Sequence, residues 1–278
     1  MYSGTTLTSK SGRLVGAHQK IDRAARHHVA ALLETSKYHA SFPSISRILH
    51  FEGRNGPDGI KTKSPAKDEP WHYFSPFDVD DTLLIELIDG HYANLVKSLR
   101  KDDPVVAAFE AAWLAHAVVD GLTPAHHYPY EEKLDELRGG LGKETRITYK
   151  DKLLMPGDNG RDTIKNNWKM WGPKGLFTTH LAFEWGVASI MLPMRLAQRT
   201  RPTAADIADI DRMTVPEYYR RVAQEVAALG MYDSFYAKGW TARLAKDVRQ
   251  QLVPSIVKAV ALIWYKATLE AEHGEKAE

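Results

Sequence analysis

The 278-residue sequence predicts an all-α protein made of a single helical domain. Three observations lead there. Apolar residues recur at helical spacing in segment after segment, no run alternates as a half-buried strand does, and neither a repeat nor a linker divides the chain. Hydrophobic residues make up 44% and charged residues 26%, which suits a chain of this length burying a sizeable core. The formal net charge of +2 points to no partner through bulk charge. There are no cysteines, so disulfides, thiolate zinc sites and cysteine nucleophiles are excluded together. A metal in this protein must be held by His, Asp and Glu.

Residues 1–13 are rich in hydroxyl side chains and glycine and read as a flexible arm. They lack the apolar core of a signal peptide, which points to a cytoplasmic chain. A first helix is expected over Leu14–Glu34, with Val15, His18, Ile21, Asp22, Ala25, Val29 and Leu32 at helical spacing. His18 lies on or beside that apolar stripe. A lone histidine there is more often a core residue than a ligand, so His18 depends on support from elsewhere. His27, His28 and His39 read as surface or helix-end residues.

Between Phe42 and Pro76 five prolines interrupt the chain, and no long helix survives them. Long irregular segments inside a domain tend to carry function. Asp58 and His72 are the candidate ligands here, although Asp58 also suits an Asp-Gly turn. Two helices follow, Asp80–Arg100 and Asp103–Gly121. Asp103 is a natural N-cap and Pro104 fits the first helical position. The short connection makes them antiparallel neighbours, and His91 on the first reads as structural.

The organising stretch is AAWLAHAVVDGLTPAHHYPYEE at 111–132. His116 and Asp120 lie four residues apart, which stacks an imidazole and a carboxylate on one face of an apolar helix. Unpartnered, each costs about 1 to 3 kcal/mol. The two groups can bond each other, or share a metal. Gly121 ends the helix and Pro124 turns the path, which brings His126 back toward the same face.

Residues 129–175 read as an irregular insertion or lid. Over 143–174 there are eight Lys/Arg against four Asp/Glu, with Trp168 and Trp171 near the end. Such a segment is either a solvated loop or a lid meeting a phosphorylated substrate, a lipid surface or a single strand. From Phe177 a helix resumes, carrying His180 and Glu184 as a second i, i+4 pair, and Pro193 should kink or end it. Further helices are expected over Thr203–Arg212, Val215–Leu229, Ser234–Gln251 and Pro254–Glu270. The most apolar segment, Ile256–Leu269, is interrupted by Lys258 and Lys266 and falls short of the roughly 20 residues that span a bilayer. It predicts a buried core helix and no transmembrane segment.

The candidates together are His18, Asp58, His72, His116, Asp120, His126, His180 and Glu184. That is more than one ion needs, and the imidazole share points to a cluster of two or three zinc ions. The order and spacing of these motifs, from about residue 14 to 190, resemble the zinc-dependent phospholipase C family, whose helical fold is shared with the single-strand-specific zinc nucleases. The HxxxE at His180 and Glu184 is closer to the phospholipases. The resemblance implies one zinc on Asp58, His72, His116 and Asp120, and a second on His126, His180 and Glu184. A third would be shared by Asp120 and His18, and Asp58 would orient or deprotonate the attacking water.

In that family an N-terminal Trp supplies its amine and carbonyl to the third ion, whereas this chain reads Met-Tyr-Ser. Either the Met1 amine takes that place, or Asp22 does, or only two ions bind. The implied function is hydrolysis of a phosphodiester, in a phospholipid head group or in single-stranded nucleic acid, with transient contact to a membrane surface. A nuclease or 3'-nucleotidase-like enzyme is one alternative. A non-catalytic, metal-stabilised helical binding protein is another.

Overall fold

The computed structural model describes residues 1–2, 16–34, 42–61 and 63–273, and among them every regular element is helical. The longer helices are α1 (Ala17–Leu33), α2 (Leu83–Arg100), α3 (Pro104–Gly121), α4 (Tyr130–Leu137) and α5 (Gly160–Trp171). They continue as α6 (Leu176–Met191), α7 (Ala204–Asp211), α8 (Val215–Ala227), α9 (Met231–Lys238) and α10 (Val253–His273). His39 and most of the 1–13 arm lie outside the described residues.

The core is organised on α10, which packs against α1, α2 and α3. Ile256, Val257, Leu262, Ile263 and Trp264 are fully buried, and the Trp264 indole donates to the Ala111 carbonyl at 3.0 Å. This ties the core helix to the helix that carries His116 and Asp120. The helical run through Ala242–His273 is long and apolar enough to cross a membrane by length and composition, yet 67% of its apolar window is buried inside the protein. The sequence reading placed the apolar part at Ile256–Leu269; here a wider turn at Val248–Leu252 joins it to the preceding helix.

The start of α3 follows from its first residues. Asp103 accepts from the backbone N–H groups of Val105 and Val106 at 3.2 and 3.0 Å, with Pro104 at the first turn. Such a cap contributes about 1 kcal/mol. Where α3 stops, Gly121 permits a close approach. A Cβ at this position would stand 1.8 Å from the Tyr219 hydroxyl and 2.4 Å from Leu84 Cδ2. The helix bearing Asp120 is thereby pressed against α8 and α2.

Three expectations are corrected. The helix read over Ser234–Gln251 is divided, because Gly239 takes φ +68° and closes α9 at Lys238. Residues 129–175 are far more regular than a lid loop. They hold α4, a short helix at Tyr149–Leu153 and α5. Thr148 and Asp151 form a reciprocal capping box, Asn159 caps α5, and Tyr130, Leu134, Met155 and Met170 bury a small core of their own. His28, expected at the surface or a helix end, lies within α1, is 3% exposed on its inner face and donates to Thr200 Oγ1 at 2.9 Å. His91, for which the sequence showed no partner, is bonded to Glu110 at 2.6 Å.

Candidate metal centre

All eight candidate residues converge on one region, and Asp120 is its hub. α3 delivers His116 and Asp120, α1 delivers His18, and α6 delivers His180 and Glu184. The irregular segments contribute the rest. Asp58 sits in the one-turn helix Pro57–Ile60, His72 in extended chain, and His126 in the turn Pro124–His127. His72 and His126 are joined because the Phe74 N–H donates to the His126 carbonyl at 3.0 Å and His126 Nδ1 donates to the His72 carbonyl at 2.8 Å. That second bond places the Nδ1 proton and turns Nε2 of His126 toward Glu184, as the ring atom that could serve as a ligand.

Three groups of donors result among the described residues, and two of them consist of residues singled out in the sequence. Asp58, His72 and His116 offer ligand atoms within 4.8 Å of one another, as do His126, His180 and Glu184. Asp120 borders the first group through His72 Nδ1 at 2.6 Å and His116 Nε2 at 3.2 Å, and approaches the second through His126 Nε2 at 4.0 Å. His18 Nε2 lies 3.2 Å from the other Asp120 oxygen and 2.7 Å from the Met1 carbonyl. The Met1 amine meets Asp120 and stands 3.2 Å from Glu184 Oε1. Of the alternatives open in the sequence, the geometry brings the amine and carbonyl of Met1, and not Asp22, to His18 and Asp120. Asp22 is fully buried on the far side, beside Glu52, and both effects push its carboxyl well above the ordinary range.

The Met1 ammonium balances part of the negative charge on Asp120 and Glu184, which raise its pKa against the effect of burial. Glu184 Oε1 receives two imidazole nitrogens, His126 Nε2 at 2.7 Å and His180 Nε2 at 3.1 Å. With the His126 proton fixed on Nδ1, its Nε2 lone pair would face a carboxylate oxygen. Burial pushes the His180 pKa down, which disfavours an imidazolium there. Burial and Lys61 likewise lower His72 to about 3, and its Nε2 has no protein partner among the described residues. At His116 burial opposes the charged form, but Asp120 and Asp58 outweigh it and hold the pKa at about 10. Neutral imidazoles at His72 and His180 beside ionised Asp120 and Glu184 fit divalent ions of the zinc type, which would have to displace the proton that Asp120 and Asp58 hold on His116.

The sequence reading missed Glu52. It is 2% exposed, and its Oε2 lies 3.5 Å from His116 Nδ1, the edge turned away from Asp58 and Asp120. Its ligand atom also lies within 4.8 Å of those of His18 and His116. Glu52 belongs to an irregular stretch without periodicity, so only the acid in HFEGRNGPDG marked it. Lys61 was missed too. Its Nζ is 2.8 Å from Asp58 Oδ1, and Asp58 and Asp120 outweigh burial to raise its pKa.

Asp58, His72, Asp120, His126, His180 and Glu184 line a cleft of about 290 Å³. Trp71, Tyr73, Tyr130, Met170, Trp171 and Phe177 also line it, with Tyr73 stacked on His126, and so do Lys61, Lys143, Arg146 and Lys152. Arg146 is paired with Glu131 and Lys152 with Glu69, while Lys143 lies 3.8 Å above the Trp71 ring. A larger groove of about 340 Å³ beside Phe77 and Met231 contains none of these donors. No family model, no curated protein and no solved structure matches the chain.

Proposed function

We infer that the cleft hydrolyses phosphodiesters with the aid of two or three divalent ions, zinc by the imidazole share of the donors. The observation that carries this reading is the convergence of the donor groups on Asp120 in the wall of an open cleft that Lys61 and Lys143 also line. Such ions, when bound, bring the pKa of water toward neutrality and neutralise charge on a phosphoryl group. Asp58, His72, His116 and Asp120 would hold one, and His126, His180 and Glu184 a second. His18, Asp120 and Met1 would hold a third. This is the chemistry implied by the resemblance to zinc-dependent phospholipases C.

The charge balance supports an anionic substrate. Asp58, Asp120, Glu184 and Glu52 carry four negative charges, which two divalent ions would match, and Lys61 and Lys143 would then leave a positive surplus at the cleft. Burial pushes the Asp58 carboxyl up, but Lys61 and His116 outweigh it and hold it below the ordinary range. A carboxylate so held is a weak proton acceptor, which favours orientation of the attacking water as its part. Asp58, His180 and Glu184 keep side-chain exposures of 14, 11 and 10%, so the donors face the cleft and are not sealed as in a purely structural site.

The test is hydrolysis of a soluble chromogenic aryl phosphodiester. Activity lost on chelation, restored by zinc and reduced at least about a hundredfold in His126→Ala supports the reading. Zinc-loaded protein that leaves the diester intact contradicts it.

A further inference from the structure

Helix α5 presents a face that the protein itself does not cover. Ile164 is 73% exposed and Trp168, one turn on, is 69% exposed. Both stand on the side opposite buried Met170, and this is the costly side on which to leave large apolar groups. Capping by Asn159 and the packing of Met170 fix the helix, so this face is held in place.

The face is continuous with the cleft. Trp171, one turn beyond Trp168, is 39% exposed, lines the cleft and donates its indole N–H to the Leu153 carbonyl at 2.8 Å. Tyr149 also lines the cleft while remaining 56% exposed. Trp171 and Tyr149 therefore connect the cleft to the exposed apolar groups of α5.

The same helix face is basic. Arg161, Lys165 and Lys169 are exposed, and none has a carboxylate within ion-pair distance among the described residues. This segment holds twice as many Lys/Arg as Asp/Glu, eight against four over 143–174. An apolar strip flanked by unpaired cations is the pattern of a helix that lies in a lipid–water interface, with indole and aliphatic groups at the acyl boundary and cations at the head groups. Single-stranded nucleic acid would also meet the cations, but it binds by stacking on flat aromatic faces. The most exposed group of the strip, Ile164, is aliphatic and offers no such face.

We propose that the exposed face of α5, Ile164 and Trp168 with Arg161, Lys165 and Lys169, seats the protein on an anionic membrane surface and sets the metal cleft at the head-group layer. That the lipid is then the substrate rests on the phosphodiesterase reading. The seat itself does not.

The test is co-sedimentation of the full chain with phosphatidylcholine vesicles, with and without phosphatidylglycerol, alongside the soluble diester assay. The expected result is binding to the anionic vesicles, weakened by salt. Ile164→Ser/Trp168→Ser should reduce it roughly tenfold or more. Lys165→Glu/Lys169→Glu should abolish the preference for phosphatidylglycerol. Both pairs are exposed and away from the donors, so circular dichroism and soluble-diester hydrolysis should be unchanged. Vesicle binding without diester hydrolysis would support the seat and sink the phosphodiesterase. Diester hydrolysis with no vesicle binding, or binding equal in the Ser pair, would overturn the seat and leave the phosphodiesterase standing. Binding of a single-stranded oligonucleotide that the Ser pair abolishes, with vesicles ignored, would also overturn it.

Discussion

Glu52 lies with Oε2 3.5 Å from Nδ1 of His116, while Nε2 of the same ring turns toward Asp120 at 3.2 Å. One edge of the imidazole thus faces a buried carboxylate at ion-pair distance, beyond a hydrogen bond, and the other is presented to the candidate centre. A partner of this kind fixes ring orientation and raises ligand basicity.

The first prediction follows from that pair. Glu52→Gln keeps the volume and removes the charge, and it should lower metal affinity about ten- to a hundredfold with the fold intact. Competition against a chromogenic chelator reads the affinity, and circular dichroism reads the fold. Unchanged affinity would assign Glu52 to packing alone.

Chelation should lower stability without erasing the helices. The donors surround Asp120, whereas the apolar core is centred on α10. Ions present at a thousandfold excess over their dissociation constant contribute about 4 kcal/mol. In a chain of this size that shifts Tm by on the order of 10 °C. Thermal scans with and without chelator check this. An unchanged Tm speaks against bound ions, and complete unfolding at room temperature favours the structural-scaffold alternative.

Gly121→Ala should destabilise the protein by about 1 to 3 kcal/mol, because the new methyl meets the Tyr219 hydroxyl and Leu84. That hydroxyl is buried and has no hydrogen-bond partner among the described residues. Tyr219→Phe should therefore be close to neutral alone and should recover part of the loss in the double variant. Strict additivity in urea unfolding would show that the two sites do not meet.

A pH dependence follows from His28. Burial, with His27 and Arg201 nearby, lowers its pKa from 6.5 to about 4. The unfolded chain takes up this proton first, so the contribution is fully present above pH 6.5 and is lost as pH falls toward 4. After allowing for solvent reach, it amounts to on the order of 1 to 2 kcal/mol. His28→Gln should flatten the stability slope between pH 6.5 and 4.5. An equal slope in both proteins would contradict the assignment.

What could be read from the sequence follows from what repeats locally. His116 with Asp120 and His180 with Glu184 are visible because a helix places i and i+4 on one face. Asp103 and Pro104 mark a helix start by residue type alone. Glu52 and Lys61 were invisible because their roles depend on where an irregular segment folds back. His28 was misplaced because its partner, Thr200, lies 172 residues away. The regularity of 129–175 was there to be found. Thr148-x-x-Asp151 and Asn159-x-x-Asp162 are helix-start patterns, but the charge-rich composition around them read as loop.

The most direct test of the central claim is metal content per chain, measured on protein purified without chelator beside a His116→Ala control. Two or three zinc ions per chain, reduced in the variant together with diester hydrolysis, is the predicted result. Metal-free protein that stays folded and gains neither metal nor activity when zinc is supplied would contradict it.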